Sequence, residues 1–127
     1  MILGIGVDTV EINRFSDWHT YSKKKLQRIF SEEEIKYCLS QKNKSAERFA
    51  ARFAAREAFY KALSYAYPDQ KIPFLRMCKA ITIKKINNKP YIIMEEQLKI
   101  ALFKDIRVHL SLSHSDIQAT AFVIIEI

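Results

Sequence analysis

Residues 44–67, KSAERFAARFAAREAFYKALSYAY, are the stretch on which the fold of this 127-residue chain turns. Three- and four-residue spacing puts Ala46, Phe49, Ala50, Phe53 and Tyr60 on one side, which predicts a long helix from Lys44 to Tyr67 with an apolar stripe. Pro68 ends it, because proline disfavours the helical conformation in the residue before it. Glu57 falls inside the stripe, where an unpaired ionised carboxylate is costly. Two partners can relieve that cost: a cation, or Lys61 one turn on, in an intrahelical pair worth about 0.2–0.5 kcal/mol. Arg48, Arg52 and Arg56 recur every four residues along one edge, a pattern that suits a solvated face as well as a basic contact row.

Around this helix the remaining segments read as short strands and helices. The apolar run Ile2 to Val7 predicts a strand that stops at the carboxylate of Asp8, followed by a helix-compatible stretch from Glu11 to Trp18. Ser31-Glu32-Glu33-Glu34 has the capping-box pattern and opens a short helix through Leu39. Ile81 to Ile86 and Tyr91 to Met94 flank Asn87-Asn88-Lys89-Pro90 as a hairpin-like pair, and Glu95 to Phe103 reads as helical. Val108 to Ser113 and Ala119 to Ile127 close the chain as two strands around the turn Ser113-His114-Ser115-Asp116. The fold class is therefore α+β: one domain over residues 1–127, with a long central helix on a mainly antiparallel sheet. His114 in its turn is either a surface or capping group, or a phosphate contact.

A net charge of +7 and a pI near 9.5 favour an acidic partner without choosing among nucleic acid, a phosphorylated cofactor and an acidic protein. Lys23, Lys24, Lys25 and Arg28 cluster behind Arg14. A nucleic-acid-binding module would use Phe49, Phe53 and Tyr60 beside the arginines, but these aromatics share a side with the alanines and so belong to a core. Runs such as Ala119 to Ile125 are too short to span a bilayer, and the N-terminus lacks a signal-peptide pattern, which places the protein in the cytoplasm. Cys38 and Cys78 stand far apart without ligand-type neighbours and read as reduced packing residues. The two isolated carboxylates, Asp8 and Glu57, suit a magnesium ion, which takes one or two protein carboxylates and completes its shell with water and phosphate.

Four motifs in order, Gly4-Ile-Gly-Val-Asp8-Thr-Val-Glu-Ile-Asn-Arg14-Phe, Arg52-Phe-Ala-Ala-Arg56-Glu57-Ala-Phe-Tyr-Lys61-Ala-Leu, Asn88-Lys-Pro90-Tyr and His109-Leu-Ser-Leu-Ser113-His114-Ser, resemble those of the holo-acyl-carrier-protein synthase family. The resemblance spans nearly the whole chain. It implies a short bacterial 4′-phosphopantetheinyl transferase that moves phosphopantetheine from coenzyme A to a serine of apo-acyl carrier protein, releases adenosine 3′,5′-bisphosphate and serves fatty-acid synthesis. It further implies Asp8 and Glu57 as magnesium ligands, and Asp8, Glu57 and Lys61 as the catalytic set. Coenzyme A contacts would come from Lys61, Arg52, Pro90 and His114, carrier contacts from Arg14, Lys24 and Arg28, and the assembly would be a homotrimer with active sites between subunits, with neither nucleic acid nor membrane as partner. Two departures stand out: Arg56 replaces the family's usual lysine, and residues 64–70 contain no glycine where the family is glycine-rich.

Overall fold

The computed structural model describes residues 1–102 and 105–127. In chain order these form β1 (Ile2–Glu11), α1 (Lys23–Leu26), α2 (Glu32–Leu39), α3 (Ser45–Ala66), α4 (Phe74–Lys79), β2 (Ile81–Ile86), β3 (Lys89–Met94), α5 (Glu96–Ala101), β4 (Arg107–His114) and β5 (Gln118–Glu126). Short 3-10 turns lie at Ile12–Phe15, Trp18–Thr20 and Lys42–Lys44. The expected α+β class holds: β1, β5 and β4 make an antiparallel sheet in that order, α3 packs across it, and β2 and β3 form a separate hairpin.

The helix can lie on the sheet because both sides of the contact are built from small residues. Strand alternation puts Gly4, Gly6, Asp8 and Val10 on the helix side of β1, in register with Ile125, Val123, Ala121 and Ala119 of β5. A Cβ added at Gly6 would stand 1.8 Å from the Ala58 carbonyl oxygen, and one at Gly4 would stand 2.2 Å from that of Ala62. The two glycines therefore serve a backbone-to-backbone approach, and Ala54, Ala55, Ala58 and Ala62 are fully buried against it. On the opposite face, Ile5 and Val7 of β1 are 51% and 53% exposed and Phe122 of β5 is 40% exposed, so an apolar sheet surface is left without cover among the described residues.

Arg56 ties the other side of α3 down. Fully buried, it donates from Nη1 to Glu34 Oε2 at 2.7 Å, from Nη2 to Glu34 Oε1 at 2.5 Å, and on to the Cys78 and Ile81 carbonyl oxygens at 3.3 and 3.1 Å. Glu34 is also the residue that closes the expected capping box, accepting from Ser31 N at 3.2 Å while its own N–H donates to Ser31 Oγ at 3.3 Å. One bidentate pair thus joins α2, α3, the end of α4 and the start of the β2–β3 hairpin. Removing either partner would strand a buried charge, at a cost of about 3–5 kcal/mol.

Several sequence expectations need correction. Asp8 does not end its strand: β-branched Thr9 and Val10 extend β1 to Glu11, and Thr9 Oγ1 meets Thr120 Oγ1 at 2.9 Å. The Glu11 to Trp18 helix is absent, because Ile12 N–H donates to Ile117 O at 2.9 Å and holds the chain to the sheet edge before two 3-10 turns. The hairpin turn is the two-residue Asn87-Asn88, both at positive φ (52° and 63°), so Lys89 and Pro90 belong to β3, with Pro90 opposite Lys85. His114 is the last residue of β4, opposite Ala119, and not part of the following turn. Helix α4 gave no sequence expectation, being six residues that start behind Pro73. Of the expected 95–103 helix, Glu96–Ala101 is helical, and Phe103 lies outside the described residues. The glycine-free segment continues α3 through Ala66, with Tyr67 N–H donating to Leu63 O at 2.8 Å.

Candidate functional site

Asp8, Glu57 and Lys61 meet where β1 crosses α3. Asp8 reaches the helix because it shares the strand face of Gly6, whose missing side chain lets the two elements close. Lys61 Nζ lies 3.0 Å from Asp8 Oδ1 and donates to the Val7 carbonyl oxygen at 3.0 Å. The lysine therefore pairs across to the strand and not within the helix, and Glu57 makes no ion pair among the described residues. Burial pushes the Glu57 carboxyl above its usual range and the Asp8 charge adds to this, while Lys61 and Arg14 pull it back. Asp8 Oδ2 is buried with no hydrogen-bond partner among the described residues. Two mutually repelling carboxylates, one with an orphaned oxygen, form a donor set suited to a hard divalent cation. Among the described residues no group of three or more His, Cys, Asp or Glu side chains could hold a metal, so other ligands must complete the shell.

An aromatic wall flanks this cluster. Phe74 packs edge-on to Phe53 and Tyr60, with ring centroids 6.1 and 5.3 Å apart, and the Arg14 guanidinium lies 5.7 Å from the Phe53 centroid. Arg14, Lys24 and Arg28 are exposed along the segment leading away from it. Lys23 is committed to Glu32, and Lys25 to the Tyr21 ring at 3.8 Å.

Arg52, Pro90 and His114 gather elsewhere, in a cavity of about 320 Å³ that is also lined by Tyr37, Arg48 and Lys85. His114 Nε2 sits 3.1 Å from Glu47 Oε1. Arg52 is not solvated as a surface row would require: it is buried, its Nε has no hydrogen-bond partner among the described residues, and Glu34 Oε2 stands 3.9 Å away. The three arginines of the row thus have three fates, with Arg56 in the core, Arg52 in the cavity wall and Arg48 donating to the Tyr37 carbonyl oxygen at 2.9 Å. Sequence reasoning missed Tyr37 and Lys85, which reach the cavity only because α2 and the hairpin close over α3. A larger cavity of about 450 Å³, near α4 and α5, holds none of the expected residues.

The two clusters lie on different sides of α3. Nine residues, or two and a half turns, separate Arg52 from Lys61, which places them about 180° apart around α3.

The family model of the 4′-phosphopantetheinyl transferase superfamily matches residues 4–122. A holo-[acyl-carrier-protein] synthase of Clostridium tetani is 38% identical over 128 residues, covering 99% of this chain and 97% of that protein. One of Cytophaga hutchinsonii is 41% identical, covering 98% and 97%. Among solved structures, the Bacillus anthracis holo-(acyl-carrier-protein) synthase in complex with CoA (3′,5′-ADP) superposes with a TM-score of 0.76 at 31% identity, covering 98% of this chain and 96% of that one. The Helicobacter pylori enzyme in complex with coenzyme A gives 0.75 at 30% identity, covering 96% and 99%.

Proposed function

The chain belongs to the 4′-phosphopantetheinyl transferase superfamily, and from that premise we propose that, as one domain over residues 1–127, it is a holo-[acyl-carrier-protein] synthase of the cytoplasm. It moves 4′-phosphopantetheine from coenzyme A to a serine of apo-acyl carrier protein, releases adenosine 3′,5′-bisphosphate and supplies carrier for fatty-acid synthesis. The observation that carries this reading is the Asp8–Glu57–Lys61 cluster, two carboxylates and one ammonium at the crossing of β1 and α3.

In the reaction the carrier serine oxygen bonds to the phosphorus that bears pantetheine, and the bond from that phosphorus to the nucleotide phosphate breaks. Asp8 and Glu57 would hold magnesium, which when bound neutralises charge on the diphosphate. Lys61, fixed by Asp8 and Val7, offers its remaining donor to the phosphate oxygens. The serine proton must leave as the new bond forms, and the Glu57 carboxylate is the acceptor this chain supplies. Arg52, Pro90 and His114 bind the nucleotide end.

In this reading a second subunit brings its nucleotide cavity to these carboxylates, a placement supported by their lying on different sides of α3 within one chain. The exposed Ile5, Val7 and Phe122 supply an apolar face for assembly, and the proposed state is a homotrimer with sites between subunits. The test is a mass assay for phosphopantetheine on the carrier serine, run on Asp8→Ala, on His114→Glu and on their mixture after subunit exchange. Each variant alone should be nearly inactive, and roughly a quarter of the sites in a random mixture should recover. Lack of transfer by the unmodified protein would reject the function; lack of recovery in demonstrated mixed oligomers would reject the shared site.

Arg14, Lys24 and Arg28 form the carrier surface in this reading. Charge steering acts mainly on association and weakens as salt screens it. Reversing Arg14 and Arg28 to glutamate should raise KM for carrier and flatten its salt dependence while coenzyme A binding holds. Impaired coenzyme A binding with unchanged carrier kinetics would assign these residues to the cofactor instead.

A further inference from the structure

Tyr37, on the last turn of α2, is where three cations from two other elements converge. The Arg48 and Arg52 guanidinium carbons lie 4.1 and 4.5 Å from its ring centroid, and Lys85 Nζ lies 5.7 Å from it. Lys85 also donates to the phenol oxygen at 3.4 Å, and Arg48 to the Tyr37 carbonyl oxygen at 2.9 Å. Like charges repel at such spacings, and long side chains one helical turn apart would otherwise spread into solvent. Nearby carboxylates do not account for the gathering: Glu34 is bound bidentately by Arg56 and stands 3.9 Å from Arg52, and Glu47 faces His114. The tyrosine draws them together in two ways: the negative face of its ring attracts the Arg48 and Arg52 guanidinium groups, and its phenol oxygen takes the Lys85 ammonium. Arg48 is held as well by Ser40 Oγ at 3.0 Å and Gln41 Oε1 at 3.5 Å. Burial raises the phenol pKa, yet the Lys85 bond and the charges of Lys85, Arg48 and Arg52 outweigh it and leave the group below its ordinary value, in keeping with that concentration of charge.

We propose that Tyr37 is the positioning residue of the nucleotide cavity: it holds Arg48, Arg52 and Lys85 as a preset cationic wall, facing Pro90 and His114, for the phosphate groups at the nucleotide end of coenzyme A. A planar guanidinium binds phosphate through a fork of donors, so its orientation matters as well as its charge, and a fixed fork loses less freedom on binding. The proposal rests on the coenzyme A reading above and adds to it a residue that touches no reacting atom.

The experiment compares the full-length protein with Tyr37→Leu, Tyr37→Met and Tyr37→Phe by calorimetric titration with coenzyme A and by transfer kinetics, with thermal melting as a check on folding. Tyr37 is only half-buried, and Met preserves much of its volume without a ring, so the two truncations do not depend on a single fold outcome. Leu and Met should weaken coenzyme A binding and raise its KM about five- to thirtyfold while kcat at saturation holds. Phe, which keeps the ring face for Arg48 and Arg52 but loses the phenol bond to Lys85, should lose no more than about threefold. A merely structural tyrosine would lower the melting temperature without this split between KM and kcat and without rescue by Phe. If the unmodified protein binds coenzyme A and the truncations bind it equally well, or if Phe is as weak as Leu, Tyr37 is not a positioning residue. If the unmodified protein does not bind coenzyme A at all, the functional reading itself fails and this proposal fails with it.

Discussion

Asp8→Ala and Glu57→Ala are each expected to lower phosphopantetheine transfer by about a hundred- to a thousandfold while the protein stays folded, since each removes an anionic ligand from the place where diphosphate charge must be neutralised. The stability response should run the other way for one variant. Glu57 is held above its usual carboxylate range by burial and by Asp8, so the folded state keeps its proton to higher pH than the unfolded chain. The stability this contributes is fully present below the unfolded pKa and is lost as pH rises through the folded one. At neutral pH the ionised Glu57 therefore weakens the fold, and Glu57→Gln should melt higher than the unmodified protein in chelated buffer. Added magnesium should raise the melting temperature of the unmodified protein by mass action and leave that of Glu57→Gln unmoved. Ordinary transfer by Glu57→Gln, or a melting temperature of the unmodified protein that ignores magnesium, would remove these two residues from the metal assignment.

Gly6→Ala should be the most damaging single-methyl change in the chain. The new Cβ would stand 1.8 Å from the Ala58 carbonyl oxygen, 2.8 Å from its carbon and 2.9 Å from the Ala62 nitrogen, all backbone atoms of α3 that cannot rotate away. Either the helix lifts from the sheet or β1 leaves its register with β5, and both open the core formed by Ala58, Ala62, Ala121 and Val123. A loss of about 5 kcal/mol is expected, comparable to the whole stability of many domains of this size, so the variant should be largely unfolded or insoluble. Denaturant unfolding and expression yield measure it directly. A Gly6→Ala protein within about 1 kcal/mol of the parent would show that β1 and α3 do not approach as described. The same displacement would carry Asp8 away from Glu57, so any residual folded fraction should transfer poorly.

Much of this was legible in local sequence. The alanine-rich run between Ala46 and Tyr60 determined a long helix through propensity, but not its buried side. Ala54, Ala55, Ala58, Phe59 and Ala62, outside the expected stripe, are fully buried, whereas Ala46, Phe53 and Tyr60 are only partly buried. Ser31 and Glu34 marked the start of α2, and the capping bonds form. Glu57 could be singled out as a carboxylate in an apolar helical stripe and Asp8 as one that closes an apolar strand, and the structure brings them together with Lys61. Local pattern failed where a distant partner decides the outcome. Glu11 to Trp18 has helical spacing, yet a backbone bond to Ile117 and the packing of Phe15 and Trp18 turn it into short 3-10 segments. Arg48, Arg52 and Arg56 are identical in type and evenly spaced, and only the tertiary structure separates them. Glu34, 22 residues before Arg56, takes it into the core, while the closure of α2 and the hairpin over α3 places Arg52 in a cavity and gathers Tyr37 and Lys85 beside it. Sequence alone thus determined what depends on neighbours three or four residues away: the long helix α3, the capping box that opens α2 and the carboxylate set among apolar neighbours on α3. Tertiary structure decided which charges are buried, paired or left facing a ligand, because the energy of a charge is set by whatever surrounds it in space, and those groups come from segments far apart along the chain.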